Sequence, residues 1–309
     1  MQQFGGIEML WTEKYRPETV QQVMGNESFV EDAKSWIINN DIPNLLLYGP
    51  AGTGKTSAGI ALAKDVLKED FKTNFLELNA SDDRKLEAVR TKIKEFASTG
   101  TMGKVPFKIV LLDEMEGMIL DAQNALKRVM ERYHSNVRFI ITCNDRNKII
   151  YPLQSRCANY FFRLLHPSTI EFTLERILTN EGISIENPNE LSNFAIKHNG
   201  DLRAAIGQLQ AITAGGKPLN SLHEKKESGY RNLLEMLISR DSKALDKTHE
   251  LLFSGLSVKD ICHGLHDVLI NGKYESEVKY KFLRIIGETE YRSNTMTPRI
   301  VASWMIAQI

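Results

Sequence analysis

The stretch LLLYGPAGTGKTSAGIAL, residues 45–62, constrains the fold more than any other part of the chain. A strand-length apolar run stops at Gly49, small and flexible residues follow, and a helical pattern begins at Lys55. Gly49–Thr56 fits G-x-x-x-x-G-K-S/T in the strand-loop-helix setting which that motif requires. Glycines at these positions let the backbone curl, so that its N–H groups and the helix N-terminus face β- and γ-phosphates. The expected phosphate-binding residues are therefore Gly49, Pro50, Ala51, Gly52, Thr53 and Gly54, with Ser57 on the helix beyond them. Lys55 adds positive charge and Thr56 offers a hydroxyl to Mg²⁺.

Such a strand predicts a sheet of similar strands. NLLLY (44–48), NFLEL (74–78), FKIVLLD (107–113) and VRFIITC (137–143) are short, β-rich and separated by helical stretches, the pattern of a parallel sheet wrapped by helices. After FFRLLHPS (161–168) helical periodicity takes over. Ser168 is expected to cap a helix carrying Ile170, Leu174, Ile177 and Leu178. AGGKPLNS (214–221) then separates two helical blocks. The organisation expected is α/β: a parallel-sheet domain over 1–165, a small helical lid over 166–220 and an all-helical domain over 221–309.

A phosphate loop alone binds nucleotide; hydrolysis also needs groups that hold the metal and activate water. IVLLDE, 109–114, is an apolar strand ending in two carboxylates, and the carboxyl ends of parallel strands lie beside the phosphate loop. Asp113 is expected to hold Mg²⁺ through water, and Glu114 to orient or deprotonate the attacking water. A third strand ends in Asn144, whose neutral amide can donate to a γ-phosphate without adding negative charge.

Other classes are excluded or disfavoured. Lysine plus arginine equals aspartate plus glutamate at 39 each, so no polybasic or membrane-surface character is expected. No apolar run approaches the ~20 residues of a membrane span, and the N-terminus lacks signal-peptide order; an intracellular protein is expected. Cys143, Cys157 and Cys262 are odd in number with no C-x-x-C pair, against a disulfide framework or zinc site. His263 and His266, three apart in the last segment, are read as exposed or packed histidines.

Taken in order, these motifs resemble the AAA+ ATPases, and more narrowly the small subunits of replication factor C, the archaeal and eukaryotic clamp loader. WTEKYRPETVQQVMGNE (11–27), LELNASDDR (76–84), ALKRVMERYHSNVRFIITCN (125–144), PLQSRC (152–157) and GDLRAAIGQLQ (200–210) carry the resemblance. It implies a P-loop AAA+ domain, a helical lid and a C-terminal all-helical collar that joins subunits. It implies that Tyr15, Arg16, Pro17 and Val23 cup the adenine, and that Arg203 on the lid contacts bound phosphate in the same subunit. Arg156 is implied to be an arginine finger acting in trans on a neighbour's γ-phosphate. Asn79 matches a position that restrains the catalytic glutamate until DNA is engaged.

The implied ligands are ATP and Mg²⁺. The implied partners are a larger clamp loader subunit and other small subunits in a hetero-pentamer, a ring-shaped sliding clamp of the PCNA type, and primer-template DNA held without sequence specificity. The implied compartment is the archaeal cytoplasm or the eukaryotic nucleus. DNA candidates are Arg84 and Lys85, and Gln123 with Lys127, four apart on the polar face of a helix starting near Leu120. The chain departs from the family's DEAD with DEME, placing Met115 and Glu116 after the catalytic carboxylates, and with GMILDAQ (117–123). Two other functions compete with this one: another AAA+ remodeller of the branch-migration helicase type, and a structural ring subunit that binds ATP with little turnover.

Overall fold

β1 (Leu45–Tyr48), β2 (Phe75–Asn79), β3 (Lys108–Asp113), β4 (Val137–Cys143) and β5 (Ala158–Phe161) form one parallel sheet ordered β2-β3-β4-β1-β5. The protein is seen in a computed structural model that describes residues 9–80, 86–101, 105–185, 188–214 and 221–309. The apolar runs form strands because both faces are covered. In β3, Val110 and Leu112 join one core with Leu46, Phe139 and Ile141, while Ile109 and Leu111 join the other with Leu45, Leu47 and Ile140. Burying one such side chain contributes roughly 1.5–3 kcal/mol, and a charge placed at Leu111 would sit in that core unpaired.

Helix α1 (Glu27–Asn39) and α2 (Lys55–Leu67) cover one face through Phe29, Ala33, Ala58, Leu62 and Val66. On the other face lie α3 (Leu86–Ser98) and α4 (Leu120–Arg132), through Ile93, Ala97, Ala122, Leu126 and Met130. The strand order brings the carboxyl ends of β3, β4 and β1 side by side. β5 was not expected from sequence. It is a four-residue edge strand, ANYF, whose side chains alternate between half-buried and exposed, so it carries no continuous apolar run.

The lid helices are α5 (Pro167–Glu181), α6 (Pro188–Lys197) and α7 (Leu202–Ala214). Ile170, Leu174, Ile177 and Leu178 are all buried, as their spacing predicts. The cap differs: His166, not Ser168, is the N-cap residue, its Nδ1 accepting from the Ser168 N–H at 3.3 Å, with Pro167 in the first turn. A short helix, Trp11–Lys14, lies against α7, where the Trp11 N–H donates to Gln210 Oε1 at 2.8 Å.

The chain forms two compact units, residues 1–217 and 218–309. The second contains α8 (Ser221–Ile238), α9 (Ala244–Phe253), α10 (Val258–Asn271), α11 (Ser276–Arg292) and α12 (Pro298–Ala307). They share a core built on Leu233, Leu234, Ile261, Leu265, Ile285 and Val301. α10 opens on a capping box: Ser257 and Asp260 bond each other's backbone N–H. His263 meets Glu290 at 3.1 Å on α11. Among the described residues no helix is long and apolar enough to cross a membrane. The break expected over 214–221 falls largely on 215–220, outside the described residues.

Candidate active site

The glycine-rich turn is built around close backbone contact. Gly49 has φ +142°, and a Cβ there would stand 2.1 Å from the Phe162 carbonyl oxygen; at Gly52 it would stand 1.9 Å from Asp201 Oδ1. A side chain at either position would have to displace the backbone just past β5 or a lid carboxylate, so the loop can run here only with glycine. The turn delivers Lys55 to the start of α2, where its Nζ donates to Gly49 O at 2.8 Å, Pro50 O at 2.7 Å and Asn144 Oδ1 at 2.9 Å. Lys55 is only 8% exposed. Burial pushes its ammonium below the ordinary lysine range and Arg203 acts the same way, while Glu116, Cys143 and Asp113 favour its charge. An ammonium held by carbonyls and an amide is a cation whose counter-charge is only partly supplied.

Beside it, Thr56 Oγ1 donates to Asp113 Oδ1 at 2.8 Å. The same carboxylate oxygen accepts from the Thr142 hydroxyl, which β4 supplies from a buried position. Hydroxyl and carboxylate together are a hard-oxygen donor pair of the kind Mg²⁺ takes, so the residues present fit that ion. Glu114 follows directly, exposed, with φ +53° and ψ +44°. A left-handed backbone at a non-glycine residue costs on the order of 1–3 kcal/mol and here turns the chain out of β3 at the mouth of the site. Its N–H donates to Thr142 Oγ1 at 3.3 Å.

These groups share one cavity with the N-terminal segment and the lid. Tyr15, Arg16, Pro17 and Val23 line it, as do Ala51, Gly52, Thr53, Gly54 and Ser57. Asp113, Glu114 and Asn144 complete the sheet side, and Arg203 projects from α7. Gly49 and Pro50 lie behind this wall and contribute their carbonyls to Lys55. Arg16 Nε donates to Ser57 Oγ at 3.2 Å, and the Tyr15 hydroxyl and Lys14 ammonium each reach Glu181 Oε1 at 2.6 Å, tying the segment to the end of α5.

Other expected residues fall elsewhere. Asn79 pairs in register with Asp113 across β2 and β3, outside the cavity wall. Arg156 is exposed and also outside it, bonded to Glu131 and, at 2.7 Å, to the Pro152 carbonyl. Gln123 requires correction: it is 1% exposed and its amide is fully engaged. Nε2 donates to Met118 O at 3.0 Å and Lys148 O at 2.9 Å, and Oε1 accepts from the Ile150 N–H at 2.9 Å. Helical spacing placed it on a solvent face, but its amide satisfies the backbone of two loops and is not offered to DNA. Lys127 is half-buried on the same helix. Arg84 and Lys85 lie outside the described residues.

Three participants went unassigned in sequence. Thr142 sits inside an apolar run and reads as a strand residue. Arg176, two turns into α5, lines the cavity without belonging to any recognisable motif. Glu116 accepts from the Asn144 backbone N–H at 3.0 Å and from its Nδ2 at 2.6 Å; the departure DEME drew attention to it without giving it a partner.

Comparison with known proteins gives a consistent picture. Residues 45–164 match the model of the ATPase family associated with various cellular activities, and 227–296 match the replication factor C C-terminal domain. The replication factor C small subunit of Picrophilus torridus is 40% identical over 292 residues, covering 92% of this chain and 91% of that protein. That of Sulfolobus acidocaldarius is 38% identical over 296 residues, covering 92% and 90%. Among solved structures, the Thermotoga maritima RuvB Holliday junction branch migration motor superposes with a TM-score of 0.57 at 14% identity, over 81% of this chain and 85% of that one. At that identity the likeness is one of fold.

Proposed function

The chain belongs to the replication factor C small-subunit family, and from that premise we propose that it is an ATPase subunit that helps a clamp loader open a sliding clamp and place it on primer-template DNA. The observation that carries the catalytic part is the convergence of Lys55, Thr56, Asp113 and Asn144 at three adjacent strand ends. Tyr15, Arg16, Pro17 and Val23 hold the adenine side, and Gly49 to Ser57 hold the phosphates. Lys55 exchanges its carbonyl partners for phosphate oxygens. Thr56 and Asp113 would hold Mg²⁺, which when bound neutralises charge on the transferring phosphoryl group. Glu114 orients the attacking water and takes its proton; Asn144 donates to the γ-phosphate; Arg203 supports the phosphates from the lid. Asn79, next to Asp113 in register, restrains Glu114 until DNA binds.

Arg156 serves the neighbouring subunit, which makes hydrolysis a property of the assembled ring. Residues 1–165 are then the ATPase domain, 166–220 the lid and 221–309 the collar, working with a larger subunit and other small subunits in a hetero-pentamer inside the cell. DNA is tracked through its phosphates, without a sequence code. Lys127 is the remaining described candidate for that contact. ATP binding assembles the clamp-opening state, and DNA- and clamp-stimulated hydrolysis releases the clamp.

Glu114→Gln tests the chemistry. It is expected to lower kcat by about 10²–10³ while ATP affinity stays within about threefold, because general-base assistance contributes on that scale. Single-turnover hydrolysis with clamp and primed DNA would measure it; unchanged turnover would remove Glu114 from its role.

A further inference from the structure

The turn after β3 places a third carboxylate where the nucleotide's terminal phosphate would be sensed. Met115 is fully buried in the sheet core and anchors the short turn Met115–Gly117. Glu116 is thereby held against the end of β4. One of its oxygens, Oε1, takes both N–H groups that Asn144 presents to it, from the backbone at 3.0 Å and from Nδ2 at 2.6 Å. Asn144 Oδ1 in turn accepts from Lys55 Nζ at 2.9 Å.

The amide is thus oriented by two charges: its NH₂ toward a carboxylate, its carbonyl toward an ammonium. Turned over, it would set oxygen against carboxylate and NH₂ against ammonium, so one orientation is strongly preferred. Of the groups that favour the charged form of Lys55, Glu116 acts most strongly, and its second oxygen is buried with no hydrogen-bond partner.

A γ-phosphate is an anionic acceptor seeking the same two donors, Asn144 Nδ2 and Lys55 Nζ. We propose that Glu116 is a positioning residue that holds Asn144 in competition with the γ-phosphate, and so sets how strongly the site distinguishes nucleoside triphosphate from diphosphate. A diphosphate reaches the phosphate loop but leaves the Glu116–Asn144 pair intact. A triphosphate has to draw Nδ2 away from a carboxylate before the amide can donate to it. The proposal rests on the assignment of Asn144 to the γ-phosphate made above.

The test is calorimetric titration of the full chain with Mg²⁺ and either a slowly hydrolysed ATP analogue or ADP. Glu116→Gln keeps size and an acceptor but removes the charge, and burying a neutral amide costs less than burying a carboxylate. Affinity for the analogue is expected to rise at least fivefold, and for ADP to change less than twofold. Glu116→Asp, which keeps the charge but withdraws it by one methylene, should fall between. In an Asn144→Ala background the same Glu116→Gln change should have no effect on the ratio, as coupling through one shared partner requires.

An equal change for both nucleotides, or an effect that persists without Asn144, would overturn the proposal while leaving the Asn144 assignment standing. If Asn144→Ala alone left both analogue binding and hydrolysis untouched, the assignment itself would fall, and the proposal with it.

Discussion

Arg156→Ala should leave ATP binding to the chain within twofold of the parent and abolish most DNA-stimulated hydrolysis in the assembled complex, lowering it by about 10³ or more. The guanidinium lies on the surface, outside the chain's own nucleotide cavity, and bonds Glu131 and the Pro152 carbonyl. An exposed ion pair of this kind contributes at most about 1 kcal/mol to stability, so the variant is expected to fold and assemble normally. What it removes is a planar five-donor fork that can neutralise charge on a transferring phosphoryl group next door. Arg156→Lys restores the charge but not the fork and should recover little. Normal hydrolysis by the Arg156→Ala complex, with clamp and DNA present, would show that the finger is another residue.

Lys55→Ala is the second large effect, expected to reduce ATP affinity by at least 10²-fold. Lys55 is buried, its charge is disfavoured by that burial, and its partners without nucleotide are two carbonyls and one amide oxygen. Removing a buried cation that lacks a full counter-charge costs the empty chain little. The melting temperature without nucleotide should therefore stay close to that of the parent. The upward shift that ATP produces should largely collapse, since a ligand present at 100 times its Kd stabilises by about 2.7 kcal/mol, and one whose affinity has fallen 10²-fold by about 0.4 kcal/mol. Thermal unfolding with and without Mg-ATP separates the two contributions; an undiminished ATP shift in the variant would contradict the role given to Lys55.

Much of this was legible because the chemistry sits at the ends of strands with strong patterns. β1, β3 and β4 are apolar on both faces, and the residues that follow them, Gly49–Thr56, Asp113 to Glu114 and Asn144, read directly as a phosphate loop and its partners. What escaped was decided by tertiary contact. β5 is short and alternating because it closes one edge of the sheet. Gln123 carries a polar side chain at a helical position that faces inward, and only the positions of the Met118, Lys148 and Ile150 backbones explain it. His166 takes the cap in place of Ser168 because the helix starts two residues earlier, at Pro167, and the imidazole Nδ1 accepts the Ser168 N–H of its first turn. Glu116 stood out as a departure from the family pattern, but its meaning depends on Asn144, 28 residues away.

In DEME, Asp113 and Glu114 line the cavity, Met115 is absorbed into the core, and Glu116 turns toward Asn144, so both carboxylates of the proposed chemistry are kept. A remodeller with a winged helix would need strands in its last segment, and among the described residues 221–309 are helices and short connections.

The proposed function requires this ATPase to work on a sliding clamp. Its most direct test is capture of the tagged chain from native extract with a slowly hydrolysed ATP analogue, followed by identification of what binds in an analogue-dependent way. Recovery of a ring-shaped sliding clamp together with a larger AAA+ subunit is the predicted result. Recovery of self-assembled rings alone, or of a different partner set with no clamp, would contradict it.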